Sequence, residues 1–501
     1  MLRRIGAAAA SLALFWAAGA GAAPAKLVAE TTGFVIEGEI LDFDGESYLI
    51  DGPIGRLRVP AAGVRCEGEG CPAAADPNAP LRIVAGSAAD FALAARLIEG
   101  AAFAEGGAAE RELGAPGAAR FRLLGPDDAA TAAFLVETMD AAAAYAALAE
   151  GSAELGFVGR GPNEAEVAAF GLGAARVEIA AAAIDGLAFI VAPGNPLGAL
   201  TPDEAARIFS GAARDWAEFG GPAGPIRAIA PEGGEEAAAL AAVTGAAPSE
   251  ALERISDPRA LAEAVAADPA AIGFAGIGAA GAAKPLALDS GCGLLRDPSR
   301  FSVKAGDWPL TLARRVVTGA RRPAPAAAKL FEFARSQAAQ PDIADLGLAD
   351  RRLETLPVAA QGRRLADAML AAKGADGVAT AAAFVRAVGA AERLSATVRY
   401  ASGAAETDPQ MAAALDELSR RIEAAAPGRP LLLAGFASPE EGPKPAALAA
   451  ARAKGLAAAL AAAYARSGAA APEISAEGFA DAAPLGCPGE ATNRRVEIWL
   501  R

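Results

Sequence analysis

The sequence predicts a multidomain protein: a small N-terminal β-domain, a central α/β domain and a second α/β domain at the C-terminus. Three observations carry this reading. Residues 27–72 alternate apolar and polar positions between turn signals, the stretch 185–221 runs strand, loop, helix and turn, and from about 394 the order becomes strand, helix, strand, helix, strand. At 501 residues, two to four separate cores are expected rather than one.

Composition excludes several function classes. Hydrophobic residues make up 53% of the chain but aromatics only 5%, because alanine supplies much of the total. The mean hydropathy of +0.27 is therefore no sign of a membrane protein. The Ala-rich tract 446–465 is interrupted by Arg452 and Lys454, which a spanning helix tolerates only at a cost. A net charge of −14 argues against nucleic acid or an anionic membrane as a broad-surface partner. The chain has no histidine, which removes the commonest general base and neutral metal ligand. With no nucleophile–base pair or metal cluster legible, no enzyme activity, cofactor or metal is expected.

Residues 1–25 read as a signal peptide. Arg3 and Arg4 form the basic end, residues 7–18 the apolar core, and Ala20, Gly21 and Ala22 or Ala23, Pro24 and Ala25 the small-residue cleavage site. No cysteine lies near that site, so no lipid anchor is expected, and an exported chain permits disulfides.

In the β-domain, 27–72, one strand is expected around Phe34, Ile36 and Ile40, the next at Tyr48, Leu49 and Ile50, and more at Leu57, Val59 and Val64. Asp44 with Gly45 and Asp51 with Gly52 supply hairpin turns. Cys66 and Cys71 bracket a short flexible loop and are expected to be bridged; with no cysteine or histidine partner nearby, a zinc site is not. Residues 73–80 read as a linker.

The central domain, 80–350, opens with a strand at Leu81, Arg82, Ile83 and Val84. Gly86 and Ser87 then lead into a helix from about Asp90 to Glu99, with Gly100 as its stop. The free N–H groups of that helix start suit an anion, and Ser87 reads either as an N-cap or as a ligand contact. Within 185–221, Leu187, Ala188, Phe189, Ile190 and Val191 form a buried strand. Thr201, Pro202 and Glu204 then make a capped helix start, and Ala205, Ile208 and Phe209 its apolar stripe. A second short helix begins near Asp215 and Trp216 and closes on Gly220 and Gly221.

The order "NPL…LT..EAARIFSG…DWAEFGG…PI" in this stretch resembles the phosphate-binding family of periplasmic solute receptors of ABC importers. The likeness extends over roughly 80–350. Asp268, Pro269, Ala271, Ile272, Gly273 and Phe274 resemble a further family strand; Trp308, Pro309 and Leu310, with the helix around 331–336, resemble its closing elements. The resemblance implies a two-lobed α/β periplasmic-binding-protein fold of type II. It places ligand contacts at Gly86, Ser87, Arg160, Gly233, Gly234 and Glu235. Arg160 reads either as an anion contact or as the partner of Glu164 or Glu166.

The anion shell departs from the family pattern. Glu154 stands where an aspartate is usual and Gly159 where a serine is. Pro231, Gly233 and Glu235 replace the arginine, serine and threonine that grip the tetrahedral anion. A carboxylate aimed at phosphate repels it and removes a donor, which argues against tight phosphate binding of the usual kind. The loop suits a cationic, neutral or larger ligand, or is vestigial with Glu232, Glu235 and Glu236 on a solvated face.

Residues 351–392 read as a helical connector, with Leu365, Met369, Phe384 and Val388 at helical spacing. In the last domain, 394–501, a helix from Asp408 and Pro409 carries Met411, Leu415, Leu418 and Ile422. Leu431, Leu432 and Leu433 form a buried strand, a long helix holds Leu448, Leu456, Leu460 and Tyr464, and 495–500 alternates as a half-buried strand. The segments "GFAS…L…RA" and Asn493, Arg494, Arg495, Val496 and Glu497 resemble the OmpA-like peptidoglycan-binding domain. That resemblance implies wall-peptide contacts at Ser438, Arg452, Asn493 and Arg494; Ser438 takes the place of the family's aspartate, and a helix-start asparagine is lost near Pro445. Whether Cys292 and Cys487 bridge the two large domains stays open, since sequence does not fix their Cα separation.

The expected function is an exported envelope solute-binding protein, periplasmic, with association to the outer membrane or cell wall as a further expectation. It would hold phosphate or another small solute between two lobes and be tethered to peptidoglycan. Expected partners are that solute, peptidoglycan, and an ABC importer or outer-membrane proteins. The alternative is a non-transport envelope scaffold with a degenerate pocket.

Overall fold

The computed structural model describes residues 24–43, 47–71, 76–171, 177–232, 234–406 and 411–501. Residues 1–23 of the expected signal peptide, the Asp44–Gly45 turn, residues 73–75 of the linker, Gly233, and the helix start at Asp408 and Pro409 lie outside them. The chain forms two compact units, Met1–Asp76 and Pro77–Arg501.

The first unit is a five-stranded antiparallel sheet in the order Gly55–Pro60, Ser47–Gly52, Val35–Phe43, Ala25–Ala29, Val64–Glu67. Leu27, Tyr48 and Ile50 form its core. Ala25, the last residue of the second of the two expected cleavage sites, is fully buried and opens a strand, pairing with Gly38. One expectation changes. Phe34, assigned to a strand, is exposed and precedes it. A Cβ on Gly38 would lie 2.4 Å from the Asp51 carbonyl oxygen, so close strand approach requires glycine there. Cys66 and Cys71 are disulfide-bonded, with Cα atoms 5.8 Å apart.

In the second unit, one strand organises two α/β lobes. Ile179–Val191 is longer than the 187–191 run suggested. Its first half pairs with Thr311–Thr318 in the first lobe and its second half with Ala271–Gly276 in the other. Beyond Thr311–Thr318, the first lobe continues through Leu155–Val158, Pro80–Ala85, Ala130–Thr138, Ala118–Leu124 and Ala108–Leu113. Helices Ala88–Ala104 and Pro325–Arg335 pack on it around Phe121, Phe134, Phe157 and Leu330. Beyond Ala271–Gly276, the second lobe continues through Arg227–Pro231 and Glu253–Ile255 in parallel. Phe189, Phe209, Phe274 and Trp308 centre its core. Each such fully buried aromatic contributes about 1.5–3 kcal/mol.

Local chemistry sets the boundaries. Thr201 and Glu204 form the expected capping box of helix Pro202–Phe209, and Asp215 caps the short turn Trp216–Phe219, which ends on left-handed Gly220. Gly100, by contrast, is no helix stop. Helix Ala88–Ala104 runs through it, and a Cβ there would clash with the Asp342 carboxylate of helix Gln340–Asp345. The glycine serves close helix approach rather than termination.

The C-terminal sheet has the order Thr355–Pro357, Glu392–Arg399, Arg495–Leu500, Leu431–Phe436, Ile474–Gly478. Residues 351–392 are more than a connector. They supply its edge strand and two helices, Gly362–Ala371 and Gly374–Val388, which cover one face. There Phe384 packs edge-on to Phe436, Phe479 and Trp499 at 5.3, 5.3 and 6.0 Å. Helices Ala412–Ala425 and Pro445–Ser467 cover the other face. Pro445–Ser467 is long and apolar enough to cross a membrane by composition alone, but its Leu456, Leu460 and Tyr464 are buried against this domain.

The closing strand Arg495–Leu500 is consequently buried on both faces, not half-buried as its alternation suggested. Its polar positions survive burial because they are paired: Glu497 accepts from Arg495 at 2.7 Å and from the Trp499 indole at 3.2 Å, and it also meets Arg364 and Arg393. Burial alone would raise the Glu497 carboxyl, but these arginines outweigh it and hold the group far below the usual carboxylate range.

Candidate functional site: the cleft between the lobes

Arg314, on strand Thr311–Thr318, is fully buried where the lobes meet. Its Nη2 donates to Asp185 at 2.9 Å, on the shared strand, and to Glu236 at 2.5 Å, on helix Gly234–Thr244 of the second lobe. Its Nη1 lies 3.3 Å from Asp90 and 3.2 Å from the Ser87 hydroxyl, both at the start of helix Ala88–Ala104 in the first lobe. One guanidinium thus gathers three carboxylates from both lobes and the strand between them.

The electrostatics follow from that count. Burial pushes the Asp90 carboxyl up to about 7 against the pull of Arg314, and raises Asp185 in the same way. Burial disfavours the Arg314 charge, yet Asp90, Asp185 and Glu236 together hold its pKa well above the ordinary value.

Ser87 is both an N-cap and a cleft residue. It accepts from the Asp90 amide, its hydroxyl donates to the Asp90 carboxylate at 2.8 Å, and it lines a cavity of about 450 Å³ between the lobes. Gly86 and Gly234 line the same cavity. The Gly86 N–H is already used, donating to the Phe157 carbonyl at 2.8 Å. Gly234 opens its helix at φ +69°, a left-handed conformation that favours glycine.

Arg160 takes the second of its two sequence readings. Its guanidinium is held by Glu166 through contacts of 2.6 and 2.5 Å and stacks over the Tyr145 ring at 5.2 Å, so its charge is committed inside the first lobe.

Glu235 and Glu236 correct the solvated-face reading: both are buried, and only Glu232 is exposed. Neither carboxylate oxygen of Glu235 has a hydrogen-bond partner beyond its own backbone N–H, and burial raises its pKa. A Cβ at Gly159 would lie 3.2 Å from both Glu235 Cδ and Arg314 Nη1, so glycine there makes room for the two side chains. Gly159 and Glu235 are thus packed against each other. Sequence reasoning missed Arg314, Asp90 and Asp185, which stand in no recognised motif; the buried strand positions of Asp185 and Arg314 were the available signal.

In the C-terminal domain a second cavity, of about 360 Å³, is lined by Ser438, Asn493, Lys373, Asp481 and Phe436, with Cys292 from the second lobe. Arg452 does not reach it, correcting its expected role. It is fully buried, paired to Glu441 at 2.5 Å and donating to the carbonyls of Phe436, Ala401 and Ala404. The Asn493 amide is spent on the 485–487 backbone, and Arg494 donates to the Gly489 carbonyl at 3.3 Å. The open question of Cys292 and Cys487 is answered: they are bonded, fixing this domain to the second lobe. Asp307 reinforces the join by pairing with Arg393 at 2.5 Å and Arg399 at 2.9 Å.

Residues 127–335 match the PBP superfamily domain. The two-lobed region has solved structures similar to it. An ABC-type phosphate transport receptor from Vibrio cholerae is 17% identical, with 53% of this chain and 98% of that one covered and a TM-score of 0.41. PstS from Borrelia burgdorferi is 14% identical, with 54% and 98% covered and a TM-score of 0.36. None of the curated proteins matches the chain. The matched residues include Arg160, Asp185, Glu235, Glu236 and Arg314; Gly86, Ser87, Asp90 and the C-terminal domain lie outside them.

Proposed function

We propose that the protein is an exported, periplasmic solute-binding protein that takes a small solute between the lobes of its PBP-like domain and works with an ABC importer. The observation that carries this reading is the strand Ile179–Val191, which pairs into both lobes beside a cavity walled by Gly86 and Ser87 on one side and Gly234 on the other. Lobes joined through continuous strands open and close about them, and a solute held between them stabilises the closed form. The C-terminal domain, with its cavity at Ser438, is proposed as a tether to peptidoglycan, which would place the protein at the cell wall or outer membrane.

The Glu236–Arg314 pair favours a second reading. The chain's own carboxylate occupies the buried cation of the cleft, as expected of a non-transport scaffold with a degenerate pocket. A thermal-shift screen of the mature chain against small solutes separates the two. A saturable shift with any of them supports the receptor, and silence throughout supports the scaffold. Sedimentation with purified sacculi tests the tether: it fails if the chain stays in the supernatant.

A further inference from the structure

We infer that the solute taken by the interlobe cleft is a small organic cation, an amine or guanidinium compound, rather than phosphate. The inference rests on the receptor reading above and names its ligand class. The 450 Å³ cavity carries three carboxylates on its wall, Asp140, Glu232 and Glu236, and no lysine or arginine among the described residues that line it. The hydroxyl-bearing residues Ser87, Thr138 and Ser256 complete its polar surface. An adjoining cavity of about 350 Å³ adds Asp185 and Asp257, against a single cationic side chain, Arg259.

The charges behind the wall have the same sign. Arg314 is outnumbered by Asp90, Asp185 and Glu236, and Arg160 is cancelled by Glu166. Arg315 turns toward the carbonyls of Gly159 and Ala313. A phosphate entering the 450 Å³ cavity meets three carboxylates and, among the described residues that line it, no cation; Arg259 stands only in the adjoining cavity, and repulsion in a partly desolvated cleft is strong.

The independent observation is Glu235. It is 5% exposed, packs behind Gly86, which lines the cavity, and leaves both oxygens without an external partner. Buried carboxylates are ordinarily paired. An ammonium or guanidinium group admitted when the lobes part is the partner its chemistry calls for. Among the described residues no three acidic side chains form a metal-holding group, which favours an organic cation over a metal ion.

The test is calorimetric titration of the mature full-length chain with 1,4-diaminobutane, agmatine, inorganic phosphate and glucose. The wild type is compared with an Asp140→Asn, Glu232→Gln double variant; both positions are exposed, and asparagine keeps the side-chain oxygen with which Asp140 caps helix Ala141–Glu150, and circular dichroism checks the fold. Saturable binding of a diamine or agmatine, weakened at least tenfold in the double variant, is the expected result. Binding of phosphate or glucose alone overturns the cation assignment while leaving the receptor reading standing. Cation binding that the double variant does not weaken overturns the assignment of the site. Silence toward all four probes overturns the inference, and the wider solute screen then decides the receptor reading.

Discussion

Glu236 Oε1 lies 2.5 Å from Arg314 Nη2, so a carboxylate of the second lobe is bound to a guanidinium that also holds Asp90 and Ser87 of the first lobe and Asp185 on the strand between the lobes. The pair is both an electrostatic necessity and an interlobe clasp. Removing Arg314 strands three buried carboxylates. Arg314→Ala is expected to cost about 3–5 kcal/mol of stability, the usual consequence of breaking a buried ion pair from one side. Urea unfolding of the PBP-like domain within the full chain reads this directly, and a loss below about 1 kcal/mol would show that water, not Arg314, satisfies the carboxylates.

Glu235→Gln is expected to do the opposite. A carboxyl whose pKa is raised on folding binds more protons folded than unfolded, so its contribution to stability falls as pH rises past the ordinary glutamate value. The amide removes that penalty. The variant should be more stable than wild type at pH 8, by at least about 1 kcal/mol, with the gap closing toward pH 4. Asp90 carries the same sign, its penalty growing from the ordinary aspartate value up to about 7. Thermal melts of wild type and variant across pH 4–8 check both the sign and the window.

How much of this was legible in the sequence depends on the kind of signal. Thr201, Asp215 and the apolar run 187–191 act through neighbours in the chain, and the structure places each as expected. The two-lobed arrangement was legible through motif order. Buried charge was not: Glu235 and Glu236 look like a solvated helix start until Gly159 and Arg314, far away in sequence, are brought against them. Arg495 and Glu497 misled in the same way, because alternation reports polarity and not whether a second layer of helices covers it. The long helix at 88–104 was cut short at Gly100 because close approach by Asp342 is a tertiary fact.

Glu497→Gln is expected to show the reverse pH signature to Glu235→Gln. The Glu497 carboxyl is held far below its ordinary value by Arg364, Arg393 and Arg495 despite burial, so its stabilisation is present above the unfolded glutamate value and is lost as pH falls below it. The substitution should therefore cost several kcal/mol near pH 7, with wild type and variant converging below about pH 4. Because Glu497 lies on the central strand of the C-terminal sheet, tryptophan fluorescence from Trp499 reports the loss locally. A pH-independent difference would assign the effect to packing rather than charge.

The bond between Cys292 and Cys487 joins residues 195 apart in sequence and ties the C-terminal domain to the second lobe only. Loss of a cross-link over so long a loop typically costs about 2–4 kcal/mol, through the freedom returned to the unfolded chain. The double variant Cys292→Ser, Cys487→Ser should accordingly melt at a lower temperature. The native fold should nevertheless persist, because Arg393 and Arg399 still hold Asp307 and Arg296 still meets Glu490. Solute affinity at the cleft should change less than threefold, since neither cysteine lines the cavity there. Calorimetry on the variant measures both quantities. A large loss of affinity with little loss of melting temperature would mean that the orientation of the C-terminal domain, and not merely its attachment, governs closure of the lobes.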